Sequence, residues 1–401
     1  TGDTIRISAG TYLENIDLGS KSFALIGDDK STTIIDGGRN TSTIKIGDQA
    51  DKAYRTVIDN ITVQNGSFGP GFNQEEPSGG GILNFGNKTL ISNTIVQNNG
   101  SSSVGVNGGG IFSENADTLF IENSIIQNNV GPSRGGGLFM SSGVLHATNT
   151  VFYKNQGGAG GAMRHYGNGM VIINCTFLEN TDDSNEGGGA ISFESGPNNY
   201  LIMNSIIWGN KEPQLRFRGN LGSNFYLINS IVEDPSRIDM KGPFYNSSLG
   251  VENQLFIYKN GTLHNDNLDM IITSNPAFKD PSNGDFSLKN NSGAIGQGLS
   301  SKITINDKVF SAPAKDISGN SRPNPAGSSI DIGAYENKYA SPIPEATNVY
   351  DGLVSDTVEV DFSNSSSTLS AYWGSYDTKS TMTYYYAIGT SGISNIKDWT
   401  S

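Results

Sequence analysis

An asparagine, a β-branched run and a second asparagine six positions later recur through the middle of this chain. The first asparagines are Asn93, Asn123, Asn149, Asn174, Asn204 and Asn229, separated by 30, 26, 25, 30 and 25 residues. Asn60, in "NITVQNG", is an earlier and weaker member. The second asparagines are Asn99, Asn129, Asn155, Asn180 and Asn210. Glycine clusters punctuate the units at residues 79–81, 108–110, 135–137, 160–161 and 187–189. A strand-like run follows each cluster, and another leads back to the next asparagine ("TLFIEN", "VLHATN", "MVIIN", "YLIMN", "FYLIN"). A period of this length marks a unit that cannot bury its apolar face alone and must stack on its neighbours.

Each unit holds three short strands rich in Ile, Val, Phe and Thr with period-2 alternation, and no segment carries a useful helical period. Stacking such units at about 4.8 Å builds parallel sheets around one core. The fold class is therefore all-β, a right-handed three-sheet parallel β-helix. Asparagines at one turn of successive coils stack into ladders that pair their buried amides. The glycines mark turns needing positive φ or close approach between coils.

The strand after each glycine cluster has its first and third residues inward. The outward columns are then Leu83, Phe112, Phe139, Arg164, Ser192, Arg216 and Phe85, Glu114, Ser141, Tyr166, Glu194, Arg218. Phe112, Phe139, Arg164, Tyr166, Glu194, Arg216 and Arg218 form a face suited to a sugar chain, rimmed by loops carrying Glu75, Glu76, Arg134, Asp182, Asp183 and Glu186. The competing structural expectation is that Glu194 pairs with Arg164 and Arg218 across the ladder. A hydrolase needs two carboxylates about 5–9.5 Å apart. Glu114 and Glu194, three coils apart, lie roughly 14 Å from each other at the strand spacing. A lyase acting on an acidic glycan would draw on Arg164, Tyr166, Glu194 and Arg216, with Asp182, Asp183 and Glu186 as candidate Ca²⁺ ligands. No other cofactor is expected. His165 falls on an inward position, as a satisfied core histidine. Cys175 replaces Ser or Thr in a small inward column, as a buried thiol.

Net charge is −13 over 401 residues, with one cysteine. Nucleic acid and anionic membrane, which require a basic surface, are not expected partners. An intrachain disulfide is excluded. No run of about 18 apolar residues is present to span a membrane. The chain opens at "TGDTIRIS" and stops at "DWTS" within strand-like pattern, and is expected to be a piece of a longer polypeptide.

The opening "GDTIRISAGTYLENIDL" and "LIGDDKSTTIIDGG" resemble the first coils of right-handed β-helix proteins of the pectin-lyase-like superfamily. "SNPAFKDPSNGDFSLKNNSGAIGQG" and "DISGNSRPNPAGSSIDIGAYE" resemble the last coils of bacterial surface β-helices with a DIGAYE-type ending, here residues 331–336. The resemblance covers residues 1–337. A linker follows at 338–346 ("SPIPEA" within it). Residues 347–401 resemble the first half of a fibronectin type III-like module in secreted proteins of Bacteroidetes-type bacteria. Together these resemblances imply an extracellular or cell-surface protein, exported by the type IX system, acting as an adhesin or glycan-binding stalk. The expected partners are a polysaccharide or cell-surface glycan, or secretion and surface-assembly proteins. The alternatives are a polysaccharide lyase or hydrolase, and a passive export cargo or spacer.

Overall fold

The computed structural model describes residues 2–47, 55–67, 79–101, 107–114, 117–184, 187–194, 196–219, 221–242, 246, 248, 252–343, 348–351, 371–374, 386–390 and 393–400. The chain divides into two compact units, Thr1–Pro342 and Ile343–Ser401. This division falls inside the expected linker at 338–346. The first unit is a right-handed parallel β-helix with three main sheets. Sheet A runs from Asp3–Ile7 to Gln254–Lys259, where Thr262–Leu263 pairs back antiparallel. Sheet B runs from Gly10–Leu13 to Ile231–Val232, and sheet C from Ile16–Asp17 to Leu215–Phe217. Among the described residues no helix is long and apolar enough to cross a membrane. In the second unit, Asn348–Asp351 pairs antiparallel with Ala371–Gly374, and Tyr386–Thr390 with Ile393–Thr400.

The alternation dictates one continuous core. On sheet C the inward residues Ile82, Ile111, Leu138, Met163, Ile191 and Leu215 align coil on coil and are fully buried. Aromatic residues fill other inward columns, Phe152 and Phe177 on sheet B and Phe193 and Phe217 at the third position of the sheet C strands. Phe152 and Phe177 lie parallel at 4.8 Å, and Phe193 and Phe217 at 4.4 Å. Removing such area from water is the main stabilising term.

The two asparagine columns do different work. The second column is the buried ladder. Asn99 donates to Asn129 at 3.0 Å, Asn129 to Asn155 at 2.9 Å, Asn155 to Asn180 at 3.0 Å and Asn180 to Asn210 at 2.8 Å. The same amide nitrogens also donate to carbonyls such as Val96 O and Ile126 O. The neighbouring glycines make room for it. A Cβ on Gly110 would sit 2.6 Å from Gly137 O and 2.9 Å from the Asn129 side chain.

The first column departs from the expected ladder. Asn93, Asn123, Asn149, Asn174, Asn204 and Asn229 all adopt the left-handed conformation, with φ between 40° and 52°. Asparagine tolerates that region better than most side chains, because its short amide finds local partners. Asn149 donates to Asn123 at 3.0 Å, but the column mainly reaches out of the coils. Asn149 donates to Lys315 O at 2.7 Å, Asn174 to Asp331 O at 3.1 Å, Asn204 to Leu299 O at 3.1 Å and Asn229 to Gln297 O at 3.0 Å.

Those acceptors belong to a strap, and this corrects the expectation that residues up to 337 form last coils. The strands of the coil stack end with Gln254–Lys259. The chain first closes the stack, with Leu268, Met270 and Ile271 against the inner core and Ile272 bridged in parallel to Ile231, and then turns back along the outside of the later coils. Leu299, Ile303 and Ile305 pack on Leu201, Met203, Tyr226 and Ile228 of sheet A. Phe286, Ile317 and Ala334 pack on Val151, Tyr153 and Leu178 of sheet B. The physical reason is visible in the outward columns. On sheet A the column Asp59, Ser92, Glu122, Thr148 becomes Ile173, Met203, Ile228 in register. An apolar outward column needs a cover, and the strap supplies it.

The strap closes on a buried ion pair. Arg322 Nη1 donates to Glu336 Oε2 at 2.6 Å, with both side chains excluded from solvent. Its other amine reaches Gly333 O at 2.9 Å. Asp331 accepts from Gly296 N at 2.8 Å and Asn337 N at 2.6 Å. Burial, with Glu336 beside it, pushes the Asp331 carboxyl up to about 7.

Candidate functional site

The glycine clusters bend the chain into sheet C, whose outer face carries the candidate residues. The register aligns Leu83, Phe112, Phe139, Arg164, Ser192 and Arg216 in one outward column, including its last member, which lacks a glycine cluster. The aromatic part is a stack of edge-on and tilted rings. Phe85 meets Phe112 at 6.2 Å, Phe112 meets Phe139 at 5.5 Å, and Phe139 meets Tyr166 at 5.5 Å. Arg134 lies above its end, with its guanidinium 5.7 Å from the Phe139 ring and 6.0 Å from the Tyr166 ring.

This stack is not the open platform expected for a sugar. Phe112 is 6 % exposed and Phe139 3 %. Both rings are buried, so neither offers a flat face to a pyranose. Tyr166 and Arg134 are the half-buried members at the accessible end.

The charged part is a closed network. Arg164 Nη2 lies 3.0 Å from Glu194 Oε1, and Arg218 Nη1 lies 3.1 Å from the same oxygen. Arg164 Nη2 also donates to Tyr166 OH at 2.8 Å, and Ser192 Oγ to Glu194 Oε1 at 3.1 Å. Burial pushes the Arg164 guanidinium below its usual range, and the Glu194 charge opposes that shift. Arg216 turns away to Asp239, with Nε 2.9 Å from Oδ2. The sequence reading missed Asp239, because it lies beyond the last repeated unit and pairs through an isolated bridge to Arg216. Of the seven proposed ligand residues, the structure joins Arg164, Tyr166, Glu194 and Arg218, ties Phe139 to them through Tyr166 and Phe112 through Phe139, and leaves Arg216 with its own partner.

The candidate Ca²⁺ loop is occupied by its own backbone. Asp182 is buried and accepts from Ser184 N at 2.7 Å, Ser184 Oγ at 3.0 Å and Gly187 N at 2.8 Å. Lys211 Nζ donates to the Asp182 carbonyl. Asp183 accepts from Gln156 Nε2 at 2.6 Å. Glu186, like Glu75 and Glu76, lies outside the described residues. Among the described residues no group of three or more His, Cys, Asp or Glu is placed to hold a metal ion.

His165 is inward, as its position required, but it is not satisfied. Its ring nitrogens meet only the backbone of Gly169 and of His165 itself, outside good hydrogen-bonding geometry. Burial pushes it down to about 4. The unfolded imidazole titrates near 6.5, so the unfolded chain takes up the proton first as pH falls. The contribution of His165 is therefore complete above about 6.5 and declines towards 4, by roughly 3 kcal/mol in all. His165→Phe, matching Phe193 one coil later, is expected to reduce the loss of stability between pH 6.5 and 4.5. Denaturant midpoints measured across that range decide it. An unchanged pH slope would show that the ring is protonated or solvated in the folded chain. Cys175 is buried as expected, its amide donating to Ser205 Oγ at 3.1 Å and its thiol pushed up to about 12 by burial.

No family model matches this chain. A 104-residue stretch is 29 % identical to the metabotropic glutamate receptor-like protein R of Dictyostelium discoideum. That match covers 25 % of this chain and 6 % of the receptor-like protein.

Proposed function

We propose that this chain is a non-catalytic scaffold module of an extracellular or cell-surface polypeptide, an adhesin or glycan-binding stalk. The observation that carries this reading is the closed charge pairing on sheet C. A catalytic base must be free to take a proton, and an arginine that neutralises a uronate must be free to meet it. Glu194 is instead clamped between two guanidiniums, Tyr166 OH already accepts from Arg164, and Arg216 is spent on Asp239. Glu114 lies three coils from Glu194. The half-buried rim, where Arg134 lies over the Tyr166 ring, is the contact surface that fits an acidic glycan held at low affinity. The finer parts of the reading rest on sequence resemblance. They are kinship with pectin-lyase-like β-helices, a fibronectin type III-like second unit, and type IX export from a Bacteroidetes-type cell.

A glycan array read alongside ultraviolet absorbance of unsaturated uronates tests the proposal. Retention of acidic glycans without new absorbance is the expected result, weakened about tenfold by Arg134→Ala, a loss of about 1.4 kcal/mol. Growing absorbance would overturn the scaffold reading. Absence of retention would leave a spacer and remove the glycan.

A further inference from the structure

The strap stops before the groove it occupies does. Asn149, Asn174, Asn204 and Asn229 each give their side-chain nitrogen to a strap carbonyl, and Asn123 is the next member of that column. Its φ of 50° matches theirs. Its Oδ1 accepts from Asn149, but its Nδ2 has no partner among the described residues. A groove of about 570 Å³ opens there, between Asn93, Glu122, Asn123 and Thr148 on the coils and strap residues 311–317. The Glu122 carboxylate in its wall has no hydrogen-bond or ion-pair partner among the described residues. Beside it the middle outward column of sheet A continues from under the strap. Tyr226, Leu201 and Val171 pass in register to His146, Phe120, Leu90 and Val57, which are half-buried. The flanking column is polar here, with Glu122 and Thr148, where it is Ile173 and Met203 beneath the strap.

We propose that this groove docks an extended cationic peptide segment of a partner protein. One backbone carbonyl of the segment accepts from Asn123 Nδ2, as Lys315 O does from Asn149. A lysine or arginine of the segment meets Glu122, and an apolar side chain covers Phe120. Three features argue for this occupant. The groove is continuous with the strap interface, so the surface is already shaped for extended backbone. The unpaired carboxylate selects a positive charge. The polar flank makes the contact narrower than the strap's own, which suits a segment that comes and goes. The inference does not depend on the sheet C face.

The strap supplies the probe. A fluorescent, C-terminally amidated peptide with the sequence of residues 311–315, which carries one lysine and no acidic residue, is titrated against the full chain by anisotropy. Saturable binding is expected, about tenfold weaker with Glu122→Gln. Asn123→Gly, which keeps the positive φ and removes only the amide, is expected to weaken it similarly. A peptide with its lysine changed to glutamate is expected not to bind. Circular dichroism and the thermal midpoint confirm that both variants fold. Absence of binding, or binding indifferent to both substitutions, overturns the proposal. Self-association of the full chain that Glu122→Gln abolishes would also overturn it, naming a second copy as the occupant.

Discussion

Arg322→Ala is expected to release the strap. The guanidinium is enclosed between Glu336, Asp331 O and Gly333 O, and its removal leaves buried carboxylates without their cation. Losing one partner of a buried ion pair costs about 3–5 kcal/mol. The cost depends on pH with a definite sign. Asp331 is raised to about 7, so the folded chain holds a proton there that the unfolded chain, near 4, has released. The contribution of Asp331 is complete below about 4 and is lost as pH rises through 7. The variant, whose carboxylates lack the countercharge, is therefore expected to be worse at pH 8.5 than at pH 5.5. Hydrogen exchange in residues 294–336 and limited proteolysis of the strap give the readout. Replacing the pair together, as Arg322→Met with Glu336→Leu, is expected to cost far less. Native-level strap protection in Arg322→Ala at pH 8.5 would show that the apolar contacts of Leu299, Ile303 and Ile305 suffice alone.

Glu194→Gln is expected to be the second most damaging change. The carboxylate sits between two largely buried arginines, and the amide leaves their charges facing each other across one coil. The cost is about 3 kcal/mol by the same reasoning. Stacked repeats couple mainly to their neighbours, so the loss is expected to be local. Exchange protection falls in Met163–His165, Ile191–Phe193 and Leu215–Phe217, while Ile82–Asn84 keeps its own. Arg218→Met in the same background is expected to restore part of it by removing the repulsion. Uniform loss across all coils would mean the network stabilises the whole stack, and no loss would mean water screens it.

The coils were legible because their chemistry recurs. A ladder asparagine and a close-packed glycine must return at every turn, so the period is written in residue identity. The register on sheet C followed from that, and with it the meeting of Arg164, Glu194 and Arg218. The strap was not legible, because residues 286–334 contact coils far back in sequence and repeat nothing. Its only trace was the change from Glu122 and Thr148 to Ile173 and Met203 in one outward column, which shows only after the register is known. The two asparagine columns looked alike because one residue type serves both a buried amide ladder and a left-handed turn. The position before the ladder was missed for the opposite reason. Asn98, Asn128, Lys154, Glu179 and Gly209 all adopt positive φ there, with no common side chain to announce it. The burial of Phe112 and Phe139 was hidden because alternation tells inside from outside, not whether an outside column is covered.

The strap also decides how the first unit would yield under tension. A bare solenoid pulled from its ends sheds one coil at a time, each rupture breaking only the backbone bonds to the next coil. Here the coils of Asn149, Asn174, Asn204 and Asn229 are cross-tied by one outer chain, so none of them can peel until that chain is torn away. Among the described residues, Asn60, Asn93 and Asn123 give no such hydrogen bond to the strap. The unit is thus graded along its axis, with a compliant front and a reinforced rear, a mechanical asymmetry suited to a molecule that must hold while something pulls.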